Sequence, residues 1–324
     1  MNTLFRDAKR FLRNRFSGEY NAIITSMTKH LENLDELQAN TSTNFWVKWY
    51  VNSYRSRLDI LKKSRFSPAA LKISSMYEDA LKEISNNNRV ELIDIVLPLP
   101  ANESISIYIA GLLDSLSSYL LDGVDDELYY ALCDSLPEGP YEYKEVKLIK
   151  GDIVIDAGAN VGEFSALVSV RGGQAYAFEP IKNTIDAYLS KTAEWNSNIT
   201  ICPYAISDKS EEVLFDEDFT GSTFVMTRKG AKKVKVQAID LDTFAEQNNL
   251  PRIDFIKADI EGAERYMLMG AKRVLKEFAP KIAICTYHLP DDPQVLRQLI
   301  LDANPNYVIE ERWKKMYAHV PKTS

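Results

Sequence analysis

Cysteine, histidine, net positive charge and long apolar runs are all scarce in this sequence. Its three cysteines, Cys133, Cys202 and Cys285, are odd in number and widely spaced, with no CxxC pair. That argues against a disulfide framework and against structural zinc, and it points to a reducing compartment. No apolar run approaches the roughly 20 residues that a transmembrane helix needs, so the chain reads as soluble and cytoplasmic. Cations are in deficit: 39 Lys and Arg face 46 Asp and Glu, for a formal net charge of −7. A generally cationic surface for coating nucleic acid is thereby argued against. What is present is ordinary for a globular chain. Hydrophobic residues make up 45% and charged residues 26%, which excludes wholesale disorder. The 324 residues suffice for one large domain or two smaller ones.

The first part of the chain has mostly helical periodicity. In residues 1–16, Leu4, Phe5, Ala8, Phe11, Leu12 and Phe16 share one helical stripe, with Arg6, Lys9, Arg10, Arg13 and Arg15 around it. Such a pattern either packs on the rest of the protein or lies as a peripheral contact on an anionic membrane face. It is no signal peptide, because no continuous apolar segment follows the basic residues. Further helical stretches run over residues 20–38, 45–63, 69–85 and 103–121. The aromatic stripe Phe45, Trp46, Trp49, Tyr50 and Tyr54 reads as core or as homo-oligomer contact. Residues 90–97 read as either a strand or a buried helix, closed by Pro98 and Pro100. Nothing in residues 1–140 names a chemistry.

Beyond Tyr143 the pattern changes to alternating strands and helices. Strands are expected at 152–155, 175–178, 199–202, 253–258, 281–286 and 307–310. Helices are expected at 163–170, 182–195, 243–247 with Asp242 as its cap, 263–277 and 293–301. A β-rich patch covers 213–215, 222–225 and 234–239. This alternation implies an α/β fold with a mostly parallel sheet covered on both faces, over residues 141–324. Ligands of such sheets lie at the carboxyl ends of the strands, where strand order reverses.

The residues after each strand therefore carry the functional signal. The first strand runs into Asp156-Ala157-Gly158-Ala159-Asn160-Val161-Gly162. Gly158 and Gly162 permit a tight turn and a close approach of backbone to ligand. A dinucleotide fingerprint would have a glycine at the position of Asn160, and a pyrophosphate would be repelled by Asp156. A cationic adenosine cofactor, S-adenosylmethionine, has the opposite preference. The second strand ends at Glu179, placed to accept hydrogen bonds from ribose hydroxyls. After the third strand, Ala205 lies where an adenine ring is expected. The fourth ends Lys257-Ala258-Asp259-Ile260-Glu261-Gly262-Ala263-Glu264, a costly concentration of charge unless paired or facing a cleft. A purely structural knot, with Lys257 neutralising one carboxylate, is the alternative reading there. The fifth brings His288, one of only three histidines, to the same edge.

These segments resemble the FkbM family of S-adenosylmethionine-dependent methyltransferases. GDIVIDAGANVGEFS (151–165), YAFEP (176–180), AISD (205–208), VQAIDLDTF (236–244) and IDFIKADIEGAERYMLMGA (253–271) occur in that family's order and spacing. The resemblance spans roughly residues 140–315. It implies a class I, Rossmann-like methyltransferase fold and methyl transfer to a hydroxyl of a sugar, glycan or other small-molecule natural product. On that basis the expected cofactor-binding residues are Asp156, Gly158, Ala159, Asn160, Gly162, Glu179, Ala205 and Asp259. The expected catalytic residues are Asp259, His288, Glu261 and Lys257. No metal ligand is assigned. Mg²⁺ or Ca²⁺ held by Asp259, Glu261 and a third oxygen is the less favoured alternative to a side-chain base. Residues 1–140 would shape the acceptor site, an oligomer or a contact with the inner membrane face. No nucleic-acid partner is expected, and the Asn/Asp-Pro-Pro-aromatic motif of base methylation is absent. Two competing readings are a non-catalytic scaffold retaining this fold and an NAD-dependent oxidoreductase.

Overall fold

The computed structural model describes residues 89–92, 95–98, 138–217, 225 and 232–321, with isolated positions at 115, 116, 118, 129, 130 and 133. The expected helices at 20–38, 45–63 and 69–85, and the stripe of residues 1–16, lie outside the described residues; so does 103–121 apart from positions 115, 116 and 118. The chain divides into two compact units. One comprises Met1–Asn88 with Pro100–Gly139, and the other Arg89–Leu99 with Pro140–Ser324. In the first, Leu116 and Cys133 are buried and Tyr129 meets Tyr130 edge to face.

The second unit opens with an antiparallel pair, β1 (Arg89–Leu92) and β2 (Ile95–Pro98). This resolves the ambiguity at 90–97 in favour of strand. Asn196 fastens the pair, its side-chain amide donating to Val96 O while its carbonyl accepts from Val96 N.

The main sheet holds β3 (Ile153–Ala157), β4 (Gln174–Phe178), β5 (Ile199–Cys202), β9 (Phe255–Ala258), β10 (Lys281–Cys285), β11 (Val308–Arg312) and β12 (Lys315–His319). Its order is β11-β12-β10-β9-β3-β4-β5. Neighbours from β5 to β10 are parallel, while β12 runs against both β10 and β11. Strand order reverses between β3 and β9. The sheet is thus Rossmann-like with one reversed strand, in keeping with the expected α/β fold. β9 is buried at all four positions and β3 and β10 at four of five, as expected of strands covered on both faces. Ile155, Ile256, Ile282 and Ile284 build the core with Phe178, Phe244, Met267 and Leu296. Each such side chain contributes roughly 1.5–3 kcal/mol on burial.

Helix α1 (Glu163–Val170) follows β3, and a helical run from Lys182 to Trp195 follows β4, interrupted by a π-helical turn at Ile185–Leu189. A smaller sheet, in the order β6-β8-β7, combines β6 (Ala205–Ile206), β7 (Glu211–Glu217) and β8 (Lys232–Ile239). Of the expected strand at 222–225 only Val225 is described, in a bend. Helices α2 (Leu241–Gln247), α3 (Glu264–Met269) and α4 (Asp292–Ala303) complete the unit.

Three local expectations are corrected. The cap of α2 is Asp240, whose carboxylate accepts from Thr243 N at 2.8 Å. Asp242 instead accepts from Arg273 N and Val274 N, and so anchors the neighbouring turn. The single helix expected over 263–277 is broken at Gly270, where a Cβ would lie 2.4 Å from Ser207 O. Finally, β12 follows β11 through a two-residue turn at Trp313 and Lys314, both in the left-handed region. Tight hairpin turns of that kind favour Asn-Gly, so this one carries no sequence signal. Among the described residues no helix is long and apolar enough to cross a membrane.

Candidate active site

The loops that leave β3 and β9 face each other at the reversal point. Gly158 has φ +74°, and a Cβ there would lie 2.0 Å from Asp259 O, so backbone passes directly over backbone. Gly162, at φ +92°, abuts Leu189 and Thr192, which press the start of α1 against the helix after β4. The loop hangs from β4 through Gly158 N and Ala159 N, both donating to Phe178 O. Ala159 is buried and Asn160 adopts φ 48°.

Asp156 and Lys257 are partners across β3 and β9. Lys257 Nζ lies 3.1 Å from Asp156 Oδ1 and donates to Gly158 O at 2.8 Å and to Ala157 O. Ser165 Oγ donates to the other Asp156 oxygen at 2.6 Å. Asp156 is 0% exposed. Burial alone would lower the lysine's pKa, but Asp156, Asp259 and Glu163 together hold it well above its ordinary value. The pair is a strut beneath the glycine loop. Asp156 is therefore not open to a ligand in this conformation, and Lys257 is enclosed rather than aimed at a reacting group.

Glu179, the first residue past β4, is buried. It accepts from Ile181 N at 2.8 Å and from Asn160 N at 3.2 Å. Burial pushes its carboxyl up to about 7, against the two amide hydrogen bonds. Its carboxylate bridges the loops after β3 and β4. Ala205 lies within β6, in one core cluster with Ile181, Phe215, Val236 and Ala238.

Past β9, Asp259 accepts a hydrogen bond from Tyr141 Oη at 2.9 Å and one from Tyr287 Oη at 3.5 Å. His288 Nε2 stands 3.4 Å from Asp259 and 3.9 Å from Glu261, and His288 Nδ1 stands 3.0 Å from Glu264. The imidazole is only 3% exposed. Burial disfavours its charge, but the hydrogen bond to Glu264 and the charges of Glu264, Asp259 and Glu261 raise its pKa to about 9. At neutral pH it is an imidazolium. Burial pushes the Asp259 carboxyl upward, yet His288, Lys257, Lys315 and the Tyr141 hydroxyl hold it below its usual range. Glu264 is fully buried and accepts from Ile260 N and Gly262 N, thereby shaping the loop that presents Asp259. Glu261 sits in the left-handed region at φ 55° with its side chain 21% exposed.

The structure thus brings together Asp259, Glu261, His288, the glycine loop and Glu179. It adds Glu264, Tyr141, Tyr287 and Glu163, which sequence reasoning did not assign. The KxDxEGxE spacing already contained Glu264; nothing in the sequence distinguished Tyr141 from the other tyrosines. Asp259, Glu264 and His288 also bring one ligand atom each within 4.8 Å. Glu264 is also engaged by the amides of Ile260 and Gly262.

Several known proteins are similar to this chain. Residues 156–307 match the methyltransferase FkbM domain. The hexuronic acid methyltransferase AglP of Haloferax volcanii is 24% identical over 154 residues, which cover 47% of this chain and 62% of that protein. The crystal structure of methyltransferase FkbM from Methylobacillus flagellatus KT aligns with 20% identity and a TM-score of 0.43, covering 79% of this chain and 62% of that one. A putative methyltransferase from Streptococcus mutans, solved in complex with SAH, aligns with 12% identity and a TM-score of 0.31 over 53% of this chain and 88% of that one. The chain spans less than two thirds of the length of the first two. Sequence motifs and the matched segment agree in likening residues 156–307 to the methyltransferase FkbM domain.

Proposed function

We propose that this protein is an S-adenosylmethionine-dependent O-methyltransferase whose acceptor is a sugar hydroxyl, on a glycan or a small molecule. The observation that carries the reading is the placement of Asp259. Its backbone is locked against Gly158 and its carboxylate is held by Tyr141, Tyr287 and His288 at the point of strand reversal. A uronic acid is the favoured acceptor class, in keeping with the activity named for the Haloferax relative.

The residues present fit the cofactor. Glu179 bridges two loops with a buried carboxylate suited to vicinal hydroxyls, and Gly158 leaves no room for any side chain. When bound, S-adenosylmethionine supplies an electrophilic methyl group. The protein's own task is then to orient the acceptor oxygen and take its proton. Asp259, ionised at neutral pH, accepts the hydroxyl hydrogen bond. His288, already protonated, fixes Asp259 and balances the charge of Glu264. The imidazole can serve as a base only when it loses its proton, so Asp259 is the proton acceptor at pH 7. The basic stripe that the sequence gives residues 1–16 suits an acceptor held at a membrane face.

The test is isothermal titration with S-adenosylhomocysteine, with and without EDTA, followed by incubation with uronic-acid acceptors and mass analysis for an added methyl. Binding that survives EDTA, and a methylated product formed in its presence, are expected. Failure to bind, with NAD also tested, would overturn the reading. A product lost with EDTA and restored by Mg²⁺ or Ca²⁺ would transfer the deprotonating role to a cation on Asp259 and Glu261.

A further inference from the structure

Glu163 opens α1 directly after Gly162. Its Oε2 is enclosed, with no hydrogen-bond partner among the described residues. Such an atom is expensive to bury unless a ligand completes it. The charges around it are Lys257, Asp156 and Asp259. Lys257 already spends its ammonium on Asp156 and on the carbonyls of Ala157 and Gly158, so it leaves Glu163 incompletely satisfied. Of the charges named here one cation faces three carboxylates, and Glu163 stands at the end of the glycine loop.

We infer that Glu163, rather than Asp156, receives the α-ammonium group of the amino-acid end of the cofactor. This rests on the cofactor reading above. Asp156 is closed off by Lys257 and Ser165, whereas Glu163 is next to the same loop and lacks a cation of its own. Burial raises the Glu163 carboxyl to about 7 despite the opposing charge of Lys257, so in the free protein it is half protonated at neutral pH. An arriving ammonium favours the ionised form. Binding therefore releases a proton near neutrality, and affinity rises as pH passes through that range.

The test compares two probes on the full chain by isothermal titration. S-adenosylhomocysteine carries the ammonium; 5′-methylthioadenosine keeps the nucleoside and sulfur but lacks the amino-acid end. Glu163→Gln is expected to weaken S-adenosylhomocysteine roughly tenfold to a hundredfold and to leave 5′-methylthioadenosine unchanged. The rise in affinity between pH 6 and 8 should vanish in the same variant. The Gln side chain mimics the protonated form, so the thermal midpoint of the free protein should not fall. Equal weakening of both probes, or of neither, would overturn the inference while leaving the cofactor reading standing. Wild-type protein that binds neither probe would overturn both.

Discussion

The two strand ends at the centre of this domain carry similar side chains and put them to opposite uses. Asp156 and Lys257 are the penultimate residues of β3 and β9, and parallel register sets them opposite each other inside the sheet. Asp259 is the first residue beyond β9, and its carboxylate keeps 23% of its exposure. A displacement of two residues along one chain separates a closed ion pair from an accessible acid. Within the strand, backbone on both sides and helices above and below exclude water, so a charge must be neutralised by the protein itself. Just past the strand, one side of the group is left for a ligand. Glu179, immediately after β4, follows the same rule.

The sharpest way to break this comparison is to remove the enclosed cation. Lys257→Met leaves Asp156 buried without its countercharge, and such half-pairs are destabilising by about 3–5 kcal/mol. Urea denaturation should show that loss, together with loss of S-adenosylhomocysteine binding because Gly158 is no longer tethered. Replacing both members, Asp156→Leu with Lys257→Met, should recover most of the stability. If the single variant is nearly as stable as the parent, the strut assignment is wrong and Lys257 returns as a candidate for chemistry.

His288 offers the next largest effect, and its sign is set by its raised pKa. A folded pKa of about 9 against an ordinary 6.5 makes the imidazolium a stabilising group. Its contribution is complete below about pH 6.5 and disappears as pH rises through about 9, amounting to roughly 3 kcal/mol. The stability gap between the parent and His288→Asn should therefore be wide at pH 6 and nearly closed at pH 10. A gap independent of pH would mean that the imidazole is neutral between its carboxylates. It could then act as the base at pH 7.

Much of this site was legible in the sequence, and the reasons for the rest are physical. Glycines at 158 and 162, Glu179 and the Asp259 segment each follow an apolar strand, so periodicity alone located them at one edge. Register between strands is not written locally. Nothing near Asp156 announces that Lys257, a hundred residues on, will stand opposite it, so both looked available. Glu163 resembled an ordinary first-turn acid of a helix, and only enclosure reveals its missing partner. β6, which holds Ala205, escaped notice because a two-residue strand has no periodicity to detect. β12 was hidden by a turn without Gly or Asn and by Lys315, a charge in an otherwise apolar run that the fold buries beside Tyr141.

Glu261 tests the other side of the comparison with the smallest expected change. It lies on the exposed side of the cluster, 3.9 Å from His288, beyond the reach of a direct hydrogen bond. Its Coulomb interaction is weakened by solvent, so Glu261→Gln should alter stability by less than about 1 kcal/mol. Glu264→Gln makes the contrast, because Glu264 is fully buried and engages two amides and the imidazole. That substitution should cost about 2–3 kcal/mol and lower the pKa of His288, which NMR titration of the imidazole would read. Should the two glutamates prove equally important to stability, depth relative to the strand end would not be what sorts these charges. Proximity to His288 alone would then have to explain both.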